Sequence, residues 1–294
     1  LHLCDRRQRQ MCIRDRFLSH KRINIMSKEV YTRKNFRSSL LRQIIIRCDY
    51  SSLTDLNGFI MKLKSLEWFQ NLFAGYRLVR TNNFNLQINP KAIEDRFIPL
   101  EVNETGNIHR FFDCKIEPKQ NSSMDISSTF ICFTIGCNDS YNTIDPYLDS
   151  ITDIITTLKE YDSYVQIERL AIRKIDGKDY ASLEEAYKTF EVMEDLEKNI
   201  IDNVKPIKKV YTDAFISNDA NIKVNFTRGL ERFKNGSIRC ILDMDGYIDS
   251  SLVPLNEVTD KKGIESLLKD KINDELFKLF RASVTENFLS KGLI

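Results

Sequence analysis

The stretch LRQIIIRCD, residues Leu41–Asp49, decides the predicted fold, because it has the pattern of a buried β-strand and recurs later in the chain. Its apolar run is nearly continuous and rich in β-branched residues, which favour extended backbone. A similar stretch, RLAIRKID, covers Arg169–Asp176, and a helical pattern follows both. A second pair, Phe130–Ile135 and Ile238–Asp243, also precedes helical patterns. The repetition indicates two related halves.

Each half follows the order strand, helix, several strands, helix. Strands in succession that are joined by links of hairpin length favour antiparallel sheet with helices packed on one face. We therefore predict an α+β protein with two similar strand-helix-strands-helix halves, residues 26–163 and 164–294. The halves are either two domains or one continuous domain.

Local signals place the helices and one tight turn. Asp145 with Pro146 at the first helical position is typical of a helix start, and Ser182 with Glu185 forms a capping box. Asn235-Gly236 predicts a hairpin turn. The predicted helices cover about Leu56–Phe73, Asp145–Leu158, Ser182–Ile201 and Asp260–Phe288, and the other predicted strands are Tyr76–Arg80, Phe84–Ile88, Ile108–Glu117, Thr129–Cys137, Val165–Ile175, Ile222–Phe226 and Ser237–Tyr247.

The first 25 residues differ in charge from the rest of the chain. They contain seven basic and two acidic residues, a net +5, so the remainder carries −3 of the overall +2. Their run MCIRDR, residues Met11–Arg16, resembles a translated sequencing adapter. We expect an artefactual or disordered tail, a native start at Met26, and no measurable change when residues 1–25 are deleted. The alternative is a disordered basic arm that binds nucleic acid.

Four stretches together resemble one family, a sporadically distributed group of uncharacterised bacterial proteins of about this length. The resemblance covers most of Met26–Ile294, but its motifs are strand cores and include no catalytic signature. Where such relatives have a pattern like RLGLRY-N, this chain has RLAIRKID. Any role of the aromatic residue and the Asn in those relatives is therefore not assigned to this chain. The resemblance therefore implies a fold without a reaction. The stretches are Tyr31–Phe36, Leu40–Tyr50, Ile167–Asp176 and Ile238–Asp249.

Composition excludes several classes of protein. No apolar run approaches the ~18 residues of a membrane helix. Five of the seven cysteines lie beyond the tail, an odd number without a C-x-x-C pair, which favours small buried side chains in a reducing compartment. We therefore predict a soluble cytoplasmic protein with no membrane contact, no cofactor and no metal site.

The stretch around Asp243-Met244-Asp245 resembles the first motif of haloacid-dehalogenase-type phosphotransferases. That chemistry needs further groups from later strands of a parallel sheet, and the 45 residues after Asp249 hold mainly one helix. An EF-hand fails as well, because Ile241 and Leu252 would stand where carboxylates are required. We interpret the segment as a strand whose Cys240, Leu242 and Met244 point to the core, with the two aspartates and Arg239 on the other side.

The sequence also lacks the residues that other common catalytic and nucleotide-binding sites require. His109 is the single histidine beyond the tail, and nothing near it in sequence indicates a nucleophile or an orienting carboxylate. Neither a G-x-G-x-x-G nor a Walker-type loop occurs. We predict no catalytic residue.

Two groups of basic residues are candidate contact sites. The segment Lys28–Arg47 has a net charge of +5 with interleaved aromatic residues, a pattern that suits nucleic acid. Arg47 and Arg173 hold corresponding places in the two halves and could bind an anion or a partner's carboxylate, or could pair with acidic neighbours in the sheet. The candidate nucleic-acid contacts are Lys28, Arg33, Lys34 and Arg37.

Taken together, these patterns favour a non-enzymatic binding or protein-interaction module. It would bind a protein or small ligand on the sheet face or in a groove between the sheet and the long C-terminal helix. The alternative is a nucleic-acid-binding accessory protein that uses the Lys28–Arg47 segment, and a hydrolase of unusual chemistry ranks third.

Overall fold

A large antiparallel β-sheet organises the chain. The computed structural model describes residues 28–33, 35–37, 39–81, 84–85, 101–102, 106–193, 207–217, 219–258 and 260–293. Within these residues nine strands form one sheet in the order β2-β5-β6-β7-β1-β8-β11-β10-β9, and two short strands, β3 and β4, form a separate pair. The strands are β1 (Leu41–Tyr50), β2 (Phe73–Thr81), β3 (Phe84–Asn85), β4 (Glu101–Val102), β5 (Gly106–Cys114), β6 (Asn121–Ile126), β7 (Phe130–Gly136), β8 (Ile167–Tyr180), β9 (Lys208–Ser217), β10 (Ile222–Arg232) and β11 (Ile238–Asp249).

The helices follow β1, β7, β8 and β11 along the chain. Two 3₁₀ turns, Lys28–Val30 and Leu255–Glu257, lie before the first strand and after the last. We call the consecutive helical stretch from Lys261 to Ser283 the C-terminal helical segment. The helices are α1 (Leu56–Ser65), α2 (Glu67–Leu72), α3 (Asp145–Tyr161), α4 (Leu183–Tyr187), α5 (Lys261–Ser266), a π-helix (Leu267–Asn273), α6 (Asp274–Ser283) and α7 (Glu286–Lys291).

The centre of the sheet is the antiparallel pair β1–β8. Ile46 lies opposite Ile172, β7 flanks β1 on one side and β11 flanks β8 on the other. Strands from residues 26–163 and from 164–294 therefore share one sheet. The α+β class and the mainly antiparallel sheet are confirmed.

Alternating burial explains why these sequences form central strands. In β11 the side chains of Cys240, Leu242 and Met244 are fully buried, whereas Asp243 and Asp245 point to the opposite side. β1 follows the same rule, with Ile44, Ile46, Cys48 and Tyr50 buried. The predicted orientation of the Asp243–Asp245 stretch is confirmed, because successive side chains of a strand point to opposite faces.

The prediction of one continuous helix over Leu56–Phe73 is wrong, because the segment forms two short helices. Leu66 adopts extended backbone (φ −83°, ψ 125°) between α1 and α2, and Phe73 already belongs to β2, opposite Cys114. The break lets the two short helices bury Phe59 and Phe69 separately, so tertiary packing overrides the continuous helical periodicity.

Several other elements also differ from the prediction. Strand β6 was not predicted, because its sequence NSSMDI is mostly polar, although Met124 and Ile126 are buried. The α-helix capped by Ser182 ends at Tyr187, and residues 194–201 of the predicted Ser182–Ile201 helix lie outside the described residues. α3 begins at Asp145 with Ile144 as its N-cap, one residue earlier than the predicted cap.

The last helix is capped as predicted but is not uniform. Asp260 accepts a hydrogen bond from the Gly263 backbone N–H. The helix then widens into a π-helix and ends before the extended Val284, so Phe288 belongs to the separate α7. In the described part of the chain, no helix is both long and apolar enough to cross a membrane.

Candidate functional site

A cavity of about 110 Å³ lies between the sheet and the C-terminal helical segment. Its floor comes from β1, β8 and β11, and its wall from the π-helix and α6. The segment before β1 and the loop before α3 complete the lining. Its polar or charged side chains are Arg33, Arg37, Asn142, Thr143, Lys174, Asp176 and Asn273, and its apolar or aromatic ones are Phe36, Leu41, Tyr141, Ile144, Met244, Leu276, Phe277 and Phe280.

Strand pairing explains why two charged residues face this cavity. Lys174 lies opposite Ile44 on one side and Met244 on the other, so it shares the buried face of the sheet with Ile172. Asp176, two residues further, lies opposite Leu41 and Leu242. The register of β1 and β8 shifts by one residue between Leu41 and Gln43, which places Leu41 beside Asp176.

The helical wall contributes an unusual polar group. Asn273 ends the π-helix, is completely buried, and lines the cavity. Within the described residues, neither its amide oxygen nor its amide nitrogen has a hydrogen-bond partner. Burying an amide without hydrogen-bond partners costs folding free energy. Because π-helical turns are also frequent at functional sites, we consider Asn273 a candidate ligand contact.

An aromatic cluster forms part of the cavity lining. The ring of Phe36 lies 6.1 Å from that of Phe277 and 5.8 Å from that of Phe280. The Arg37 backbone N–H donates to the Gly292 carbonyl at 2.9 Å, and Phe36 forms a β-bridge with Leu293. Phe36 and Arg37 are thereby bound to the two residues that follow α7.

Burial perturbs both charged groups on the floor. Desolvation lowers the pKa of Lys174 to about 8, partly offset by the negative charge of Asp176. Desolvation also raises the pKa of Asp176 to about 7, against the opposing effects of Lys174 and Arg42. Among the described residues, no hydrogen bond and no ion pair within 4 Å involves the Lys174 ammonium or the Asp176 carboxylate. Both groups can therefore change protonation near neutral pH.

The other charged residues around the cavity are engaged. Arg33 pairs with Asp274 of α6, and Arg37 donates to the Asn142 amide oxygen at 3.1 Å. Burial raises the pKa of the Tyr141 hydroxyl well above its usual value, so this group stays protonated. Tyr141 therefore offers a neutral hydroxyl beside the charged floor.

Three of the candidate nucleic-acid contacts, Lys28, Arg33 and Arg37, lie in the described part of the chain, and these three do not form one exposed basic patch. Lys28 is buried, and its ammonium donates to Glu191 at 2.9 Å and to the Val284 carbonyl at 2.6 Å. Arg42, also in the basic segment, donates to the Gly177 carbonyl. Arg33 and Arg37 line the cavity, and Lys34 lies outside the described residues.

Arg47 and Arg173 lie on the sheet face opposite the cavity, on adjacent central strands. They flank the central Ile46–Ile172 pair, since Arg47 lies opposite Ala171 and Arg173 opposite Ile45. Each guanidinium already binds a carboxylate. Arg47 bonds to Asp49 at 2.6 Å, and Arg173 binds both oxygens of Asp243. Pairing with acidic neighbours in the sheet, one of the two alternatives for these residues, is therefore observed.

The two aspartates of the phosphotransferase-like motif have structural partners. Asp243 pairs with Arg173, and Asp245 accepts from Arg169 at 3.1 Å. Both lie in the middle of an antiparallel strand, so the parallel-sheet edge that such phosphotransferases require is not formed there. Among the described residues, no group of three or more His, Cys, Asp or Glu side chains is arranged to hold a metal ion.

His109 also has a structural setting. It is buried in β5, and its Nδ1 lies 2.8 Å from the Tyr76 hydroxyl. Burial, together with the charge of Lys64, lowers its pKa, which favours the neutral ring. We assign it no role at the cavity.

Among the polar residues that line the cavity, sequence reasoning missed Lys174, Asp176 and Asn273. A signal for two of them was present, because Lys174 and Asp176 follow Leu170 and Ile172 on the even-numbered, buried side of the strand. Asn273 gave a weaker signal, since it lies between apolar positions of an amphipathic helix. Nothing local indicated that these residues meet.

Comparisons with known proteins add little. No protein-family model matches the chain, and no curated protein matches it either. Among solved structures the chain is similar to the di-domain ARO/CYC StfQ from the steffimycin biosynthetic pathway. The alignment has 11% sequence identity, covers 85% of this chain and 98% of that chain, and has a TM-score of 0.19. A similarity at this level carries no argument about fold or function.

Proposed function

We propose that this protein is a non-enzymatic binding module for a small organic ligand, which occupies the cavity between the sheet and the C-terminal helical segment. The observation that carries the proposal is the completely buried Asn273 amide in the cavity wall, with both polar atoms unpartnered. A ligand that accepts from the amide nitrogen and donates to the amide oxygen removes the cost of burying this group.

The dimensions of the cavity support a small ligand. Its volume of about 110 Å³ is somewhat below that of an apolar cavity of about 150 Å³ that accommodates benzene. The aromatic side chains Phe36, Phe277 and Phe280 suit an apolar body, and Lys174 and Asp176 suit a polar head. A molecule of about the size of benzene or smaller, on the order of six non-hydrogen atoms, fits this description.

We further propose that the fold consists of two related halves in one continuous domain, with the helices on one sheet face. Reading outward from the centre, β1 is followed by the last strand of its own half, β7, and β8 is followed by the last strand of its half, β11. This correspondence supports a duplication. The ring of Tyr147 in α3 lies 5.3 Å from that of Phe133, which is on the face that the C-terminal helical segment covers. That contact supports the one-sided helix layer.

The cytoplasmic location and the Lys28–Arg47 contact with nucleic acid stay predictions. Five cysteines are free in the described residues, which fits a reducing compartment. Since Lys28, Arg33 and Arg42 already have partners, no observation favours nucleic acid as the ligand.

Ligand-observed NMR of the full-length protein tests the binding proposal. The probes are four small molecules of different charge: benzoate, butylamine, benzamide and pyruvate. We expect at least one to bind the wild type and to lose on the order of tenfold or more in affinity in Asn273→Leu. Asn287→Leu, which changes an exposed asparagine of the nearby α7, is the matched control and should bind normally.

Stability measurements separate a binding role of Asn273 from a structural one. Leucine removes an unpartnered buried amide, so Asn273→Leu should unfold at the same or higher urea concentration than the wild type. Destabilisation together with unchanged probe binding would assign Asn273 to the fold and overturn the proposal. Failure of all four probes to bind the wild type would overturn it as well.

A further inference from the structure

The cavity floor presents an amine without a partner. Lys174 is half-buried and lines the cavity, and among the described residues no hydrogen bond and no ion pair within 4 Å holds its ammonium. The exposed Lys178, on the same strand, lies outside the cavity lining. An amine that is desolvated and free of strong partners is the form of lysine that reacts with carbonyl compounds.

A carboxyl group that can donate and accept protons lines the same cavity as Lys174. Asp176 is two residues from Lys174 on the same strand, faces the same cavity, and has no hydrogen-bond partner among the described residues. Its pKa is raised to about 7 by burial, and that of Lys174 is lowered to about 8 by burial. At neutral pH both the acid and base forms of each group are accessible.

The remaining polar groups suit a carboxylate on the ligand. Arg37 brings a further positive charge to the lining, whereas the charge of Arg33 is balanced by its pair with Asp274. The unpartnered Asn273 amide can donate a hydrogen bond. Asp176 is the single acidic side chain in the lining. A small anion is therefore favoured over a cation, because the nearby charges are mainly positive.

From this juxtaposition we propose that Lys174 captures a small 2-oxo acid as a reversible imine inside the cavity, an inference that rests on the proposed binding function. The neutral amine attacks the carbonyl carbon, so a C–N bond forms and the oxygen takes a proton from the Asp176 carboxyl. The nitrogen passes a proton to the Asp176 carboxylate, which gives the neutral carbinolamine. The Asp176 carboxyl then protonates the carbinolamine hydroxyl, the C–O bond breaks and water leaves, and the resulting protonated imine returns its proton to the Asp176 carboxylate. Amine and carbonyl give imine and water, with no change in oxidation state.

Borohydride trapping of the full-length protein with pyruvate tests the imine. Reduction converts the imine into a stable secondary amine, which intact mass spectrometry detects as one reduced pyruvate adduct. Peptide mapping should place the adduct on Lys174, with on the order of tenfold or more excess over exposed lysines such as Lys178. Lys178→Arg should leave the adduct unchanged, and Lys174→Arg should abolish it.

The role of Asp176 has its own readout. Asp176→Asn should slow the trapping on the order of tenfold or more, while pyruvate binding measured by NMR persists. Because peptide mapping of the wild type needs no variant, the proposal stays testable if a substitution impairs folding.

Two results would overturn the imine. One is pyruvate binding by NMR without any adduct, which leaves the binding function intact. The other is an adduct distributed over exposed lysines with no preference for Lys174. If none of the four probes binds and no adduct forms, the imine and the binding function both fail.

Discussion

Gly246 of β11 lies directly under Leu276 of the C-terminal helical segment. A Cβ atom on Gly246 would stand 2.9 Å from Leu276 Cδ2 and 3.2 Å from Ile272 Cγ2, closer than side chains normally approach. The absence of a side chain at this position therefore sets how near the helical wall of the cavity comes to its floor.

Gly246→Ala should destabilise the protein by about 1–3 kcal/mol, because the added methyl overlaps Leu276. Urea unfolding measures this change. Gly229→Ala in β10 is the matched control, since its Cβ would meet no atom closer than 3.7 Å. Adding Leu276→Ala should relieve part of the cost of Gly246→Ala, and strict additivity of the two effects would contradict the packing explanation.

Asp176→Asn should change how stability depends on pH. Burial raises the pKa of Asp176 from 3.8 to about 7, so the folded protein keeps a proton that the unfolded chain releases. This group's contribution to stability is complete below pH 3.8 and is lost as pH rises through about 7. In Asp176→Asn, the free energy of unfolding should no longer decline as the pH rises through this range. Chemical unfolding at several pH values measures this difference. Parallel curves for variant and wild type over that range would refute the assignment.

Lys174→Met should change the pH dependence of stability in a higher pH range than Asp176→Asn does. Burial lowers the pKa of Lys174 from 10.5 to about 8, so protonation is disfavoured in the folded state and stability rises with pH between these values. The variant should be more stable than the wild type at pH 7, with the difference shrinking toward pH 10.5. Lys178→Met, at an exposed lysine of the same strand, should show no such trend in unfolding experiments.

Arg169→Met should cost about 1–3 kcal/mol of unfolding free energy. The guanidinium of Arg169 bridges Asp49 and Asp245 and stacks over the Tyr247 ring at 4.5 Å, so its loss leaves two partly buried carboxylates close together. Arg239→Met removes the exposed pair with Asp179 and should cost about 0–1 kcal/mol. If thermal or urea unfolding gives equal losses of stability for Arg169→Met and Arg239→Met, then the Arg169 bridge contributes no more than an exposed ion pair.

Lys28→Met should lower stability by about 1–3 kcal/mol, because it removes the buried ammonium bound to Glu191 and the Val284 carbonyl. Retention on a heparin column should not change, since this ammonium does not face solvent. Lys62→Met, an exposed lysine of α1, controls for the loss of one charge. A clear fall in heparin retention for Lys28→Met compared with Lys62→Met would favour the nucleic-acid alternative.

Much of the local structure was predictable because its causes are local. Ser182 and Asp260 accept hydrogen bonds from backbone N–H groups as expected of helix caps, and Gly236 has the positive φ of 86° that its turn requires. The alternation along β11 also predicted the buried side of that strand. Where prediction failed, as at Leu66, packing of neighbouring elements outweighed a local pattern.

The candidate site was less predictable, and the reason is physical. Arg47 and Arg173 stood out in sequence because they repeat, yet each binds a neighbouring carboxylate on the other face of the sheet. Lys174 follows Arg173 directly and lies on the other face of the sheet, and the pairing of β8 with β1 and β11 shows which residues surround each side chain.

The sequence by itself determined the α+β class, the strand cores, the helix starts and the hairpin turn, because periodicity and capping depend on residues within a few positions of one another. Tertiary structure decided which strands are neighbours and that Lys174, Asp176 and Asn273 meet in one cavity. Asn273 lies far from the other two along the chain, and its position is set by the burial of Leu276 and Ile272 against Gly246, an interaction that no local pattern encodes.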